Sequence, residues 1–233
     1  MGVYSFSFMK ILLLTLFFPI ITFAQGRPKP IQKLVVVSSY NQYLASVKTN
    51  PNNELVEITK SIPDIKLDIR YATNDNFMQQ VMYNQARAFA RKPVVESLKR
   101  IQRDLNKKGY GLKIFDGYRP YAITVAFYKK ASDKNFVANP NKGSKHNRGC
   151  AVDLTLINLK TGEEIAMPTS YDSFAAAAAA NYENVSPELK RNRNFLITAM
   201  QKHGFKVLSN EWWHFDFNGW QNYNLMDIPF EKL

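Results

Sequence analysis

"NEWWHFDF" occupies residues 210–217. Trp212, Trp213, Phe215 and Phe217 are strong strand formers and mark a buried β-strand. Glu211, His214 and Asp216 have no place in a purely apolar strand. Successive side chains of a strand point to opposite faces. Trp212, His214 and Asp216 therefore share one face, and Trp213, Phe215 and Phe217 the other. Glu211 has the wrong parity to stand beside His214 in a regular strand, but the Ser209-Asn210 turn lets it reach over from the strand's start. A histidine inside a strand with a carboxylate at its mouth suits a metal ligand beside a general base.

Such a ligand needs partners, and the chain has only three histidines, His146, His203 and His214. His203 sits in "MQKHGF", at a helix end before Gly204, where a cation suits the helix dipole. His146 belongs to "SKHNRGCAVDLTL" (144–156). His146 and Asp153 are an odd number of positions apart, so they converge only if the chain turns between them. "NRG" (147–149) supplies the turn, because Asn and Gly tolerate left-handed backbone. Beyond it Ala151, Asp153 and Thr155 share one face. Taken alone, Asp153 is equally a cap or an ion-pair partner. Together, two histidines and one aspartate with an open fourth position make a catalytic zinc site rather than a closed structural one.

The surrounding chain mixes both element types. "IKLDIRYA" (65–72) alternates as a half-buried strand. "KPVVESLKRIQRDLNKKG" (92–109) is a helix, with Pro93 at its start, Val94, Leu98, Ile101 and Leu105 on one face, and Gly109 as its stop. "LKIFDGYRP" reads as a strand ending in a turn, and "YAITVAFYKKAS" as a second helix. "CAVDLTLINLKTGEEI" (150–165) reads as a strand, a Thr-Gly turn and a return strand. Alanine propensity alone makes "SFAAAAAAN" helical, with no function attached. Ser186, Pro187 and Glu188 open another helix that runs to Gly204, and "FKVL" pairs with "WWHFDF" at the end. The expected fold is α+β, with a central, mainly antiparallel sheet flanked by helices.

The N-terminus is of another kind. "MKILLLTLFFPIITFAQG" has a basic Lys10, an apolar run broken by Pro19 and a small residue at Ala24. It reads as a secretory signal over residues 1–24, followed by a polar, loosely attached lead-in over 25–60 and a catalytic domain over 61–233. The run is too short to span a bilayer, and no second one follows, so no membrane span is expected in the mature chain. The only cysteine, Cys150, excludes an intrachain disulfide. The net charge of +12 suits a basic solvated surface, or retention near an anionic cell envelope. No nucleic-acid module is present. The expected location is periplasmic or secreted.

"SKHNRGCAVD" fits the pattern S-x-H-x-x-G-x-A-x-D, and "EWWH" fits E-x-W-H. With "DIRYATNDNF" (68–77), "FDGYRP" (115–120) and "MPTSYDSF" (167–174), they resemble the D-alanyl-D-alanine dipeptidases, zinc peptidases of the kind known from vancomycin resistance. The likeness runs from about residue 60 to the C-terminus. It implies the small α+β fold shared with D,D-carboxypeptidases and the Hedgehog signalling domain. It implies one zinc held by His146, Asp153 and His214, with Glu211 as general base. It implies that Arg119 stabilises the oxyanion, although alone this residue reads as a turn arginine before Pro120. A small D,D-dipeptide is the implied substrate, with Ser144, Tyr71, Tyr83 and the neighbourhood of Asp172 binding it. A D,D- or L,D-carboxypeptidase acting on peptidoglycan stems is the nearest alternative. A non-catalytic zinc or peptidoglycan-binding module is an alternative of another class, and Glu211 speaks against it, since a structural site needs no base.

Overall fold

The computed structural model describes residues 1–3 and 34–233, so the expected signal over 1–24 and the start of the lead-in lie almost wholly outside the described residues. The first elements are β1 (Val36–Val37), α1 (Tyr40–Thr49), β2 (Leu55–Glu57), α2 (Ile58–Ser61) and β3 (Lys66–Leu67). Next come β4 (Phe89–Arg91), α3 (Lys92–Asn106), β5 (Tyr110–Asp116) and α4 (Tyr121–Lys130). The chain ends with β6 (Ala151–Asn158), α5 (Pro187–Gln201), β7 (Phe205–Leu208), β8 (Glu211–Phe217) and β9 (Leu225–Met226). The fold is α+β. Its central sheet has the order β3-β5-β6-β8-β7. Only β3 and β5 run parallel in it; the other pairings are antiparallel.

Strand alternation gives the sheet two chemically different faces. Val152 stands opposite Phe215, Ile114 opposite Leu154, and Leu112 opposite Leu156. These six side chains are buried and form the apolar face. Helix α3 packs on β5 and α5 through the stripe Val94, Leu98, Ile101 and Leu105, which its sequence spacing predicts. Pro93 opens α3, and Ser186 caps α5 by accepting a hydrogen bond from Leu189 N. On the other face Asp153 stands opposite His214. That face carries the candidate site.

Three stretches depart from the sequence reading. "IKLDIRYA" forms a strand only at Lys66–Leu67, then turns through Arg70–Ala72. The alternation survives as burial of Ile65 and Ile69, but the turn swings Tyr71 into the interior beside the site. The alanine run makes a single 3₁₀ turn at Ala176–Ala178 rather than a helix. Its backbone is claimed by tertiary contacts: Ala178 is fully buried, and Ala180 N donates to Ser209 O. The return strand after Gly162 is reduced to one bridge, Ile157 with Glu164. The described part of the polar lead-in, 34–60, is packed rather than loose. Strand β1 pairs with β9 and β2 with β4, and Tyr43, Leu55 and Ile58 are buried.

Candidate active site

Two turns and two strands bring the polar residues together. After His146–Arg148 the chain reverses through Gly149, whose φ of +68° is left-handed. A Cβ there would also stand 2.7 Å from Leu55, so glycine is required twice over. The turn is tied to its neighbour "DGYRP". Arg119 N donates to His146 O (3.1 Å), and Asn147 Nδ2 donates to Arg119 O (2.9 Å) and to Thr124 Oγ1 (2.8 Å). Ser144 Oγ accepts from His146 N at 3.2 Å.

Strand β8 delivers His214 and Glu211 by breaking its own regularity. Val207 pairs with Phe215, but the next residue, Leu208, pairs with Glu211. The bulge between these pairs lets Glu211, Trp213 and His214 all line one cavity. Strict alternation puts Trp213 on the far face. Trp212 stays out of the cavity, and its Nε1–H donates to Thr169 Oγ1 (2.9 Å).

His146 Nε2, His214 Nδ1 and Asp153 Oδ1 face one another. The nitrogens are 3.1 Å apart, and the oxygen lies 3.0 Å from His214 and 3.4 Å from His146. His146 Nδ1–H donates to Gly117 O at 2.7 Å and His214 Nε2–H donates to Asp216 at 2.9 Å, so in the neutral rings the facing nitrogens are lone pairs. Asp153 Oδ1 is buried and, despite these short approaches, takes no well-aligned hydrogen bond. Three buried ligand atoms thus converge, an environment that takes up a cation, either a metal ion or a proton. The donor set of two imidazoles and one carboxylate fits zinc. Without a metal the site competes for a proton: burial pulls the His214 pKa down, but Asp153 and Asp216 outweigh it and hold it at about 10. Burial likewise disfavours the charged Asp153, and the two histidines reverse this, keeping its carboxyl well below the usual range.

Glu211 Oε2 lies 3.8 Å from His214 Nδ1. Burial raises its pKa. Arg119 is buried and bonds Asp116 Oδ2 through Nε (3.0 Å) and a terminal nitrogen (2.7 Å). That terminal nitrogen is 4.0 Å from Asp153. A bulge in β5 puts Asp116, rather than Phe115, opposite Asp153 and so onto the site face. Burial opposes the Arg119 charge, but Asp116 outweighs it and holds the guanidinium ionised.

The three converging groups, Glu211 and Arg119 border a cavity of about 270 Å³. His146, Asp153, His214, Glu211, Arg119, Ser144, Tyr71 and Asp172, all candidates from the sequence, line it. Tyr83 does not; it lies buried behind Arg119 and donates to Asp116 Oδ1 at 3.0 Å. Tyr71 donates to Asp172 Oδ2 at 2.8 Å, and burial pushes the Asp172 pKa up to about 8. Asp116, Asn147 and Tyr171, whose hydroxyl donates to Asp153 Oδ2 at 3.1 Å, escape the sequence reading. Asp116 stands in the quoted "FDGYRP", but only the bulge reveals where it faces.

The sequence profile of the D-ala-D-ala dipeptidase family matches residues 51–230. The chain belongs to this family. As a member of the D-ala-D-ala dipeptidase family it is a peptidase. It is 32% identical to the D-alanyl-D-alanine dipeptidase of Escherichia coli K12, over 76% of this chain and 91% of that one. It is 28% identical to that of Enterococcus faecalis, over 76% of this chain and 94% of that one. Among solved structures, an LD-carboxypeptidase aligns at 19% identity and a TM-score of 0.38, covering 57% of this chain and 61% of that one.

Proposed function

We propose that the protein is an exported zinc-dependent dipeptidase that hydrolyses D-alanyl-D-alanine. The observation that carries this reading is the shared cavity: three converging buried ligand atoms, with Glu211 and Arg119 lining it beside them. His146, Asp153 and His214 would hold the zinc. Bound there, zinc acidifies a water and polarises a carbonyl. Glu211 takes the proton of the attacking water and passes it to the leaving amine. Arg119 presents a fixed guanidinium where the carbonyl oxygen gains charge, and its bonds to Asp116 prepay the cost of orienting it.

The cavity is at the small end of ligand sites, roughly 300–1,000 Å³, and suits a dipeptide. Asp172, braced by Tyr71, faces the substrate ammonium, and Ser144 faces the carboxylate. An N-acyl group removes the ammonium that would draw off the Asp172 proton and pair with the carboxylate, and a site built around such a polar partner discriminates strongly, by roughly 10⁴–10⁵-fold. The test is release of D-alanine from D-Ala-D-Ala, N-acetyl-D-Ala-D-Ala and a pentapeptide stem at equal concentration. Only the free dipeptide should turn over. Comparable cleavage of the stem would establish a carboxypeptidase, and no cleavage of any substrate by zinc-loaded protein would establish a binding module.

Export rests on the residues 1–24 segment, and a dipeptide released from the cell wall fits an exported enzyme. Removal of Lys10 with the signal lowers the net charge from +12 to +11, which still favours retention near an anionic envelope. Cell fractionation tests both: the mature chain should begin near residue 25 and be recovered outside the cytoplasm. Recovery of the uncleaved chain in the cytoplasm would refute export.

A further inference from the structure

Asp216 is the one ionisable residue of "NEWWHFDF" that the proposed chemistry does not use. It lies two positions beyond His214 on β8, on the same face. Its Oδ1 accepts from His214 Nε2–H at 2.9 Å, and its Oδ2 pairs with Lys145 Nζ at 2.9 Å. Both oxygens are engaged and the carboxylate is largely buried, so its plane is fixed. Lys145 is itself held over the Trp220 ring, 5.4 Å from its centroid. It sits in the turn between Ser144 and His146, so the pair also links the two motifs of the site.

The two histidines are oriented by different means. His146 donates to a main-chain carbonyl, that of Gly117, which no substitution removes. His214 donates to a side chain. With the proton on Nε2, the lone pair of Nδ1 points at Asp153 and His146. A ring free to flip would withdraw one of the three donors.

We infer that Asp216, anchored by Lys145, is a positioning residue that sets the orientation of His214 and thereby the affinity of the site for its cation. This rests on the zinc reading above. Carboxylates in this relation to a ligating histidine fix its tautomer and raise its basicity, and their loss weakens metal binding by about 10–100-fold.

The experiment measures the zinc dissociation constant of the full chain by competition with a chromophoric chelator, for wild type, Asp216→Ala, Asp216→Asn and Lys145→Met. The melting temperature of each metal-free protein is recorded alongside. Asp216→Ala should bind zinc about 100-fold more weakly, and Asp216→Asn about 10-fold, because an amide oxygen still accepts from Nε2–H. Lys145→Met should weaken binding by less than either. The visible absorption of the cobalt-loaded proteins should change most for Asp216→Ala and be partly restored by Asn, which a purely structural loss would not produce. Zinc affinity of Asp216→Ala within about twofold of wild type would overturn the inference. If that variant fails to fold, the near-isosteric Asp216→Asn decides in its place: undiminished affinity overturns the inference and weakened affinity supports it. Wild-type protein that binds no zinc would instead overturn the zinc reading itself.

Discussion

The floor and the roof of the cavity are built in opposite ways. The floor is sheet and tight turn: Asp153 and His214 face each other across the β6–β8 ladder, with His146 and Glu211 just outside it. The roof is irregular chain. It comes from the stretches around Phe136 and Phe174, whose rings stack at 4.8 Å, and from Asp172, held by Tyr71. The groups proposed to hold the metal and to act as base stand on hydrogen-bonded strands or on a turn tied to them. The groups proposed to select the substrate stand on loops, whose length and sequence can change without disturbing the ladder.

The division should hold under substitution. On the floor, His146→Ala, Asp153→Ala and His214→Ala should each abolish turnover and take zinc from about one per chain toward zero, the stoichiometry of a three-residue catalytic site. Metal analysis of the purified variants measures this. Loss of zinc from a roof variant would break the distinction. Arg119→Lys keeps the charge but loses the planar fork. Its kcat should fall by roughly 10²–10³-fold, the usual cost of an oxyanion donor, with zinc content and KM little changed. A change confined to KM would make Arg119 a substrate-binding group like those of the roof.

Roof residues should act on binding and on stability. The folded chain keeps a proton on Asp172 up to about pH 8, whereas the unfolded chain releases it near pH 4. The stability linked to this group is thus fully present below about pH 4 and is lost as the pH rises toward 8. Asp172→Asn removes the titration, and asparagine tolerates the left-handed φ of +59°. The metal-free variant should melt above wild type at pH 8, each kcal/mol gained adding about 2–4 °C. The gap should close near pH 4, while KM for the dipeptide rises. Calorimetry at the two pH values checks the sign, and an unchanged gap would show that Asp172 carries no buried proton. The smallest effect belongs to Phe174→Ala. Losing one stacked pair, worth about 0.5–1.5 kcal/mol, should raise KM roughly 2–10-fold and leave kcat alone.

The same division governs how much can be read from sequence. Strand parity places Asp153, His214 and Asp216 correctly because it is a property of regular backbone. The "NRG" turn is readable because few residues adopt left-handed backbone. The bulges are not. One in β5 turns Asp116 toward Asp153, and one in β8 brings Trp213 to the cavity beside Glu211, and both depend on what the neighbouring strand offers. Roof loops are less readable still. Alanine propensity argues for a helix over residues 175–180, yet burial of Ala178 and the hydrogen bond from Ala180 to Ser209 hold that chain in a turn. The composition of 34–60 suggests a loose tail, but scattered Tyr43, Leu55 and Ile58 are enough to dock it. Tyr83 shows the limit of motif transfer. It does not line the cavity and instead donates to Asp116 at 3.0 Å and packs edge-on against Tyr71.

The division of labour between ligand and base on the floor is tested most directly by Glu211→Ala, with zinc content and D-Ala-D-Ala turnover measured on one preparation. The expected result is about one zinc per chain with turnover reduced by roughly 10²–10⁴-fold, the contribution of a positioned base. Loss of zinc would make Glu211 a ligand, and undiminished turnover would place the base elsewhere; either result would contradict the proposed mechanism.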